Sequence, residues 1–249
     1  MRTDVTLIID SHTHADEAPG LGWIDPPETM LRLMDEAGIE RAVIMTYVDA
    51  RDEAPLRYIH DAVRQRPDRL LGYARLDPGA PDAARLLWWA VRDLGFRGLK
   101  LHPVSTLAHP ADHPTTALLR QAAGLGVPAL FHCGDEPFTT PLELEHAAAA
   151  VPEASIVFGH MGGYFHVADA VEVARRRPNV YLETSVMPRP ALVRRAVTEL
   201  GPERVLFASD GPGCDPRLEV HKVSRAGLSE RERALVFSAN ILRLWGAAG

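Results

Sequence analysis

Residues 83–102, AARLLWWAVRDLGFRGLKLH, hold one full repeat of an alternating architecture: an amphipathic helix, a glycine stop, a short aliphatic strand and a polar strand end. Leu86, Leu87, Ala90, Val91 and Leu94 recur at i, i+1, i+4, i+5 and i+8, which predicts a helix over Ala83–Leu94 with one apolar face. Gly95 stops it, because glycine enters left-handed backbone without a Cβ clash. Gly98–Leu101 then reads as a buried strand. The same alternation continues in both directions, with strands expected at Thr6–Asp10, Arg41–Met45, Leu70–Ala74, Gly98–Leu101, Ala129–His132, Ser155–Gly159, Val180–Glu183 and Val205–Ala208. Gly38 and Gly126 close two further helices, and Ser229 with Glu232 forms a capping box before the last. Consecutive β/α units make a parallel sheet, and eight of them predict an α/β fold, a single (β/α)8 TIM barrel over residues 1–249. An open doubly wound sheet is the alternative, but no GxGxxG follows the first strand.

Composition narrows the function classes. A formal net charge of −6 without a basic block leaves no footprint for nucleic acid. No stretch approaches the roughly 18 apolar residues of a membrane span, and the first ten residues lack a cleavable signal pattern, so a cytoplasmic location is expected. Cys133 and Cys214 lack CxxC spacing, and no structural disulfide is expected. The expected partner is a small molecule; a homo-oligomer is compatible with the composition. The chain uses arginine almost throughout, with only two lysines, Lys100 and Lys222, so a lysine within a strand stands out.

In a barrel of this kind the chemistry sits at the C-terminal strand ends. The first strand runs out in Asp10-Ser11-His12-Thr13-His14, where alternation puts His12 and His14 on one side. The fourth ends in Lys100-Leu101-His102, the fifth at His132, the sixth at His160 and the eighth at Asp210. One histidine after a strand is ordinarily a hydrogen-bonded loop residue, and HxH alone is weak; the conjunction carries the argument. His60, His109, His113, His146, His166 and His221 scatter and are taken as structural. His12, His14, His132 and Asp210, three imidazoles and a carboxylate, suit one borderline divalent cation, with Zn²⁺ the first expectation and Mn²⁺, Fe²⁺, Co²⁺ or Ni²⁺ compatible. A catalytic zinc lowers the pKa of its water to about 7.

Asp210 is also a candidate proton acceptor, and His160 a candidate acid or base. Lys100 and His102 are expected to bind substrate; carbamylation of Lys100 to bridge a second metal is the less favoured reading. Asp10 either accepts from a ligand histidine or caps its strand. Arg51 is a candidate carboxylate anchor set against a solvated surface arginine, and residues 15–26 and 103–114 form loops long enough to shape the mouth.

The segments Ile9-Asp10-Ser11-His12-Thr13-His14, Gly98-Leu99-Lys100-Leu101-His102-Pro103, Gly159-His160-Met161-Gly162-Gly163 and Ser209-Asp210, with the tail Asn240-Ile241-Leu242-Arg243-Leu244-Trp245, resemble the amidohydrolase-related family, in the branch with aminocarboxymuconate-semialdehyde decarboxylase. The resemblance implies His12, His14, His132 and Asp210 as metal ligands and His160 as the residue polarising water or substrate. It implies hydrolysis of small molecules or non-oxidative decarboxylation. Short β/α loops and no recognisable full set of substrate-carboxylate residues tilt the expectation toward hydrolysis of an amide, ester or lactone. Decarboxylation of a small unsaturated or aromatic acid is the alternative, and a non-catalytic metal-containing binding barrel the third reading.

Overall fold

Side chains two apart along a strand share a face, so a strand covered on both sides carries apolar residues at both parities. The computed structural model describes residues 7–246 and contains β1 (Ile9–His14), β2 (Asp16–Ala18), β3 (Trp23–Asp25), β4 (Arg41–Met45), β5 (Leu70–Gly72), β6 (Ala74–Arg75), β7 (Leu99–Leu101), β8 (Ala129–Phe131), β9 (Ile156–Phe158), β10 (Val180–Glu183) and β11 (Val205–Leu206). Parallel pairing runs β1-β4-β5 and then β6-β7-β8-β9-β10-β11. β5 and β6 are two pieces of one strand interrupted at Tyr73, whose N–H donates to the Ile44 carbonyl (3.1 Å). At the other side, Ser11 N–H donates to the Phe207 carbonyl (3.2 Å), Asp210 N–H to His12 (2.8 Å) and His14 N–H to Gly211 (2.7 Å). These bonds return the last strand to the first, and the wall is that of a (β/α)8 barrel.

Two apolar compartments follow from strand parity. Inside the wall, Ile9, Val43, Met45, Leu71, Tyr73, Leu130, Val157 and Leu206 form one cluster, plugged by Ile241 and Trp245 of the chain's last turns. Trp245 Nε1–H donates to the Tyr73 hydroxyl (3.0 Å), which gives the buried indole its partner. Gly98 leaves room for that tyrosine, since a Cβ there would overlap its ring. Outside the wall, Ala42, Ile44, Leu99, Leu101, Ala129 and Phe131 pack beneath the helices, among them Ala83–Arg92, His113–Leu125, Pro141–Ala150 and Val167–Arg176.

The expected strands are found, Arg41–Met45 and Val180–Glu183 with the expected bounds and the others with shifted ends. The first extends through the HxH segment to His14, all six residues buried, with a register shift between Asp10 and Thr13; Thr6 lies outside the described residues. His132, Gly159 and Ala208 fall just beyond their strands. The glycine stops hold, with φ of 70°, 74° and 75° at Gly38, Gly95 and Gly126, and the Ser229–Glu232 capping box is formed. No helix among the described residues is long and apolar enough to cross a membrane.

Candidate active site

The inward parity that is apolar at the barrel floor becomes polar at its C-terminal rim: Tyr73 gives way to Arg75, Leu130 to His132 and Tyr181 to Glu183. The rim encloses a cavity of about 300 Å³ lined by His12, His14, Lys100, His102, His132, His160 and Asp210, together with Trp23, Asp25, Tyr47, Arg75 and Gly213. The residues expected from the sequence as metal ligands, acid or base, and strand-four substrate contacts all face this one space.

His12 Nδ1 lies 3.0 Å from Glu183 Oε1, and His14 Nδ1 lies 3.3 Å from the Thr46 carbonyl. Both partners are acceptors, so each ring carries its proton on Nδ1 and presents a bare Nε2. Those two Nε2 atoms each stand 3.3 Å from Asp210 Oδ1. Burial holds both imidazoles below their usual range, with the Lys100 ammonium adding to the effect at His12. Three lone-pair donors therefore converge with no proton between them, an arrangement that a cation relieves; the donor set fits a divalent metal. Lys100 Nζ, 3.0 Å from His12 Nε2, is a cationic neighbour of that atom, and burial brings its pKa down to about 7.

His132 sits beside this group, outside the tight cluster of His12, His14 and Asp210. Its Nδ1 is 3.1 Å from His160 Nε2, its Nε2 is 3.3 Å from Glu136 Oε2, and its ring stacks on His102 at 4.2 Å. His160 stacks on His12 at 5.2 Å and is drawn down to about 3 by burial. Its backbone is left-handed (φ 58°), as are Met161 (51°) and Asp210 (61°), an unfavourable conformation for these residues that the surrounding contacts hold at the rim.

Residues that sequence reading missed complete the walls. Arg75 is buried and paired through Nε and Nη2 to Asp49 (2.8 and 3.4 Å). Tyr47 stacks on His14 at 4.5 Å and leans on Trp23 at 4.6 Å, and its hydroxyl donates to Asp25 (3.1 Å). Trp23 and Asp25 belong to the β2–β3 hairpin, so the first of the two long loops does shape the mouth; residues 103–114 do not line it. Two open alternatives are decided. Arg51 is surface-exposed, pairs with Asp77 and does not line the cavity. Asp10 holds backbone, accepting from Ser209 N (2.9 Å) and His12 N (3.3 Å), while Glu183 takes the His12 imidazole. Cys133 and Cys214 are free thiols, and none of the six scattered histidines lines the cavity.

The amidohydrolase family pattern matches residues 9–247, and the chain belongs to that family. No curated protein matches it. Among solved structures, it resembles an uncharacterised TIM-barrel protein from Bordetella bronchiseptica (20% identity, 96% of this chain and 99% of that one, TM-score 0.80). A dihydroxybenzoic acid decarboxylase from Polaromonas with bound manganese and 2-nitroresorcinol also matches (20%, 97% of each chain, TM-score 0.75). So does a probable 2-pyrone-4,6-dicarboxylic acid hydrolase from Acinetobacter baumannii with citric acid bound (15%, 96% and 99%, TM-score 0.74). Family and site together define a metal-dependent enzyme of the amidohydrolase superfamily.

Proposed function

We propose that this enzyme removes CO₂, without oxidation, from a small aromatic or otherwise unsaturated carboxylic acid. His12, His14 and Asp210, with His132 as the fourth ligand, would hold one divalent cation. The observation that carries the reading is Arg75: a buried guanidinium lining the same cavity as the ligand cluster and the aromatic pair Trp23 and Tyr47. It supplies the carboxylate partner whose apparent absence from the sequence had favoured hydrolysis, and the dihydroxybenzoic acid decarboxylase among the similar structures supports the same choice.

In this reading the substrate carboxylate meets Arg75 and Lys100, and the ring lies against Tyr47 and Trp23 with His102 beneath. Asp210 Oδ1 is engaged by both imidazoles, and Oδ2 is the oxygen left to carry a proton. Asp210 enters the reaction as the carboxylate; its Oδ2 takes the acidic proton of the arriving substrate and delivers it to the ring carbon bearing the carboxylate, and the C–C bond then breaks, its electron pair returns to the ring and CO₂ departs. When bound, the cation supplies Lewis-acid stabilisation of charge on substrate oxygens. Zn²⁺ and Mn²⁺ both suit the donor set, and elemental analysis of purified protein distinguishes them.

Hydrolysis of a lactone is the second reading, favoured by the pyrone dicarboxylic acid hydrolase among the similar structures. A panel of hydroxybenzoates, other aromatic acids and lactones in ¹⁸O-water separates the two. Decarboxylation gives CO₂ and an unlabelled arene, whereas ¹⁸O in a new carboxylate would overturn it. Asp210→Asn is expected to lower turnover about 10²- to 10⁴-fold, the range for a lost general acid.

A further inference from the structure

Glu183 is fully buried at the end of β10 and belongs to none of the motifs at the other strand ends. Its carboxylate gathers four donors. Oε1 takes His12 Nδ1 (3.0 Å), the His160 backbone N–H (2.8 Å) and the Ser185 hydroxyl (2.9 Å), and Oε2 takes the Ser185 backbone N–H (2.6 Å). Ser185 has one hydroxyl proton, and Glu183, acceptor only when ionised, receives it. The Ser185 oxygen, 2.7 Å from His160 Nδ1, is therefore the acceptor in that contact, and His160 must donate.

We infer that Glu183 is a positioning residue that fixes the tautomers of two histidines at once: His12 directly, and His160 through Ser185. Both rings then carry the proton on Nδ1 and turn Nε2 to the cavity, His12 toward Asp210 and His160 toward His132. The backbone is built around this clamp. Gly159 has no side chain where a Cβ would come within 2.7 Å of the Phe131 carbonyl and 3.3 Å of Glu183 Oε1, and left-handed His160 aims its N–H at the same oxygen. One carboxylate thus sets the direction in which two separate strand ends present their nitrogens.

The inference deepens the proposed metal site, and its first test needs neither metal nor substrate. In metal-free protein labelled with ¹⁵N-histidine, the ring signals of residues 12 and 160, assigned from the His12→Asn and His160→Asn variants, are expected to report neutral Nδ1–H imidazoles. A proton on Nε2 of either ring would overturn the clamp. Ser185→Ala removes only the bridge: His160 is expected to lose its Nδ1–H signature while His12 keeps it, and an unchanged His160 would overturn the role of Ser185. A general loss of structure would disturb both rings together. Glu183→Gln is expected to weaken Mn²⁺ binding roughly 10- to 100-fold by direct titration. Undiminished Mn²⁺ affinity in that variant would overturn the positioning role, whereas failure of the wild-type protein to bind any divalent ion, with both rings Nδ1-protonated, would sink the metal reading and leave the clamp standing.

Discussion

Arg75 follows Tyr73 by two residues and so points to the same side of its strand, which places a guanidinium above the apolar barrel floor. Its fork is set by Asp49, and lysine cannot reproduce that geometry. Arg75→Lys is expected to raise KM about tenfold, equivalent to about 1.4 kcal/mol, with a smaller change in kcat; steady-state kinetics on the substrate acid check this. The reason it escaped sequence reading is numerical and local. In a chain that uses arginine almost everywhere, one more arginine carries no signal, and the strand was expected to end one residue earlier. Glu183 was included in its expected strand, yet a carboxylate without a neighbouring histidine announces nothing; its two histidine partners, residues 12 and 160, lie far away in sequence. The histidines and Asp210 were legible because their residue types are chemically conspicuous and recur at strand ends.

At the level of elements, glycine stops and the capping box were readable because they are local chemistry, whereas most strand ends were not, since hydrogen bonds to neighbouring strands decide them. The β2–β3 hairpin is another such case: the sequence marks a long loop, and only the fold shows Trp23 brought over the cavity. Trp23 is about half exposed, and Trp23→Ala is expected to raise KM for an aromatic acid while stability stays within about 0.5 kcal/mol. Between helices, Glu145 of Pro141–Ala150 accepts from Arg176 (2.5 Å) and Arg177 (3.0 Å), which hold its carboxyl below the ordinary value of 4.5. A depressed acid pKa contributes stability above the ordinary value and loses it as pH falls through the folded one. Glu145→Gln is therefore expected to cost at most about 1 kcal/mol at pH 7, discounted because both arginines are partly solvated, and nothing once the pH is well below 4.5; urea melts at the two pH values measure it.

Across the whole molecule, alternation along the strands divides the apolar residues between an inner floor and an outer sleeve, and Trp245 closes the floor. Trp245→Ala is expected to destabilise the fold by about 3–5 kcal/mol and lower Tm by about 10 °C, because it opens a cavity and leaves the Tyr73 hydroxyl without its donor. The eight-unit architecture was visible in the sequence as repeated helix and strand periods.

The seam between the first and last strands runs through the proposed ligand group, since the backbones of His12 and His14 are bonded to Asp210 and Gly211. A nascent chain released only through its seventh strand already carries the histidines, yet their carboxylate partner has still to be synthesised. With the proposed ligands, capture of an ion and completion of the ring would be tied to the same late event in biosynthesis, and an ion arriving early would find imidazoles without the anion that would retain it.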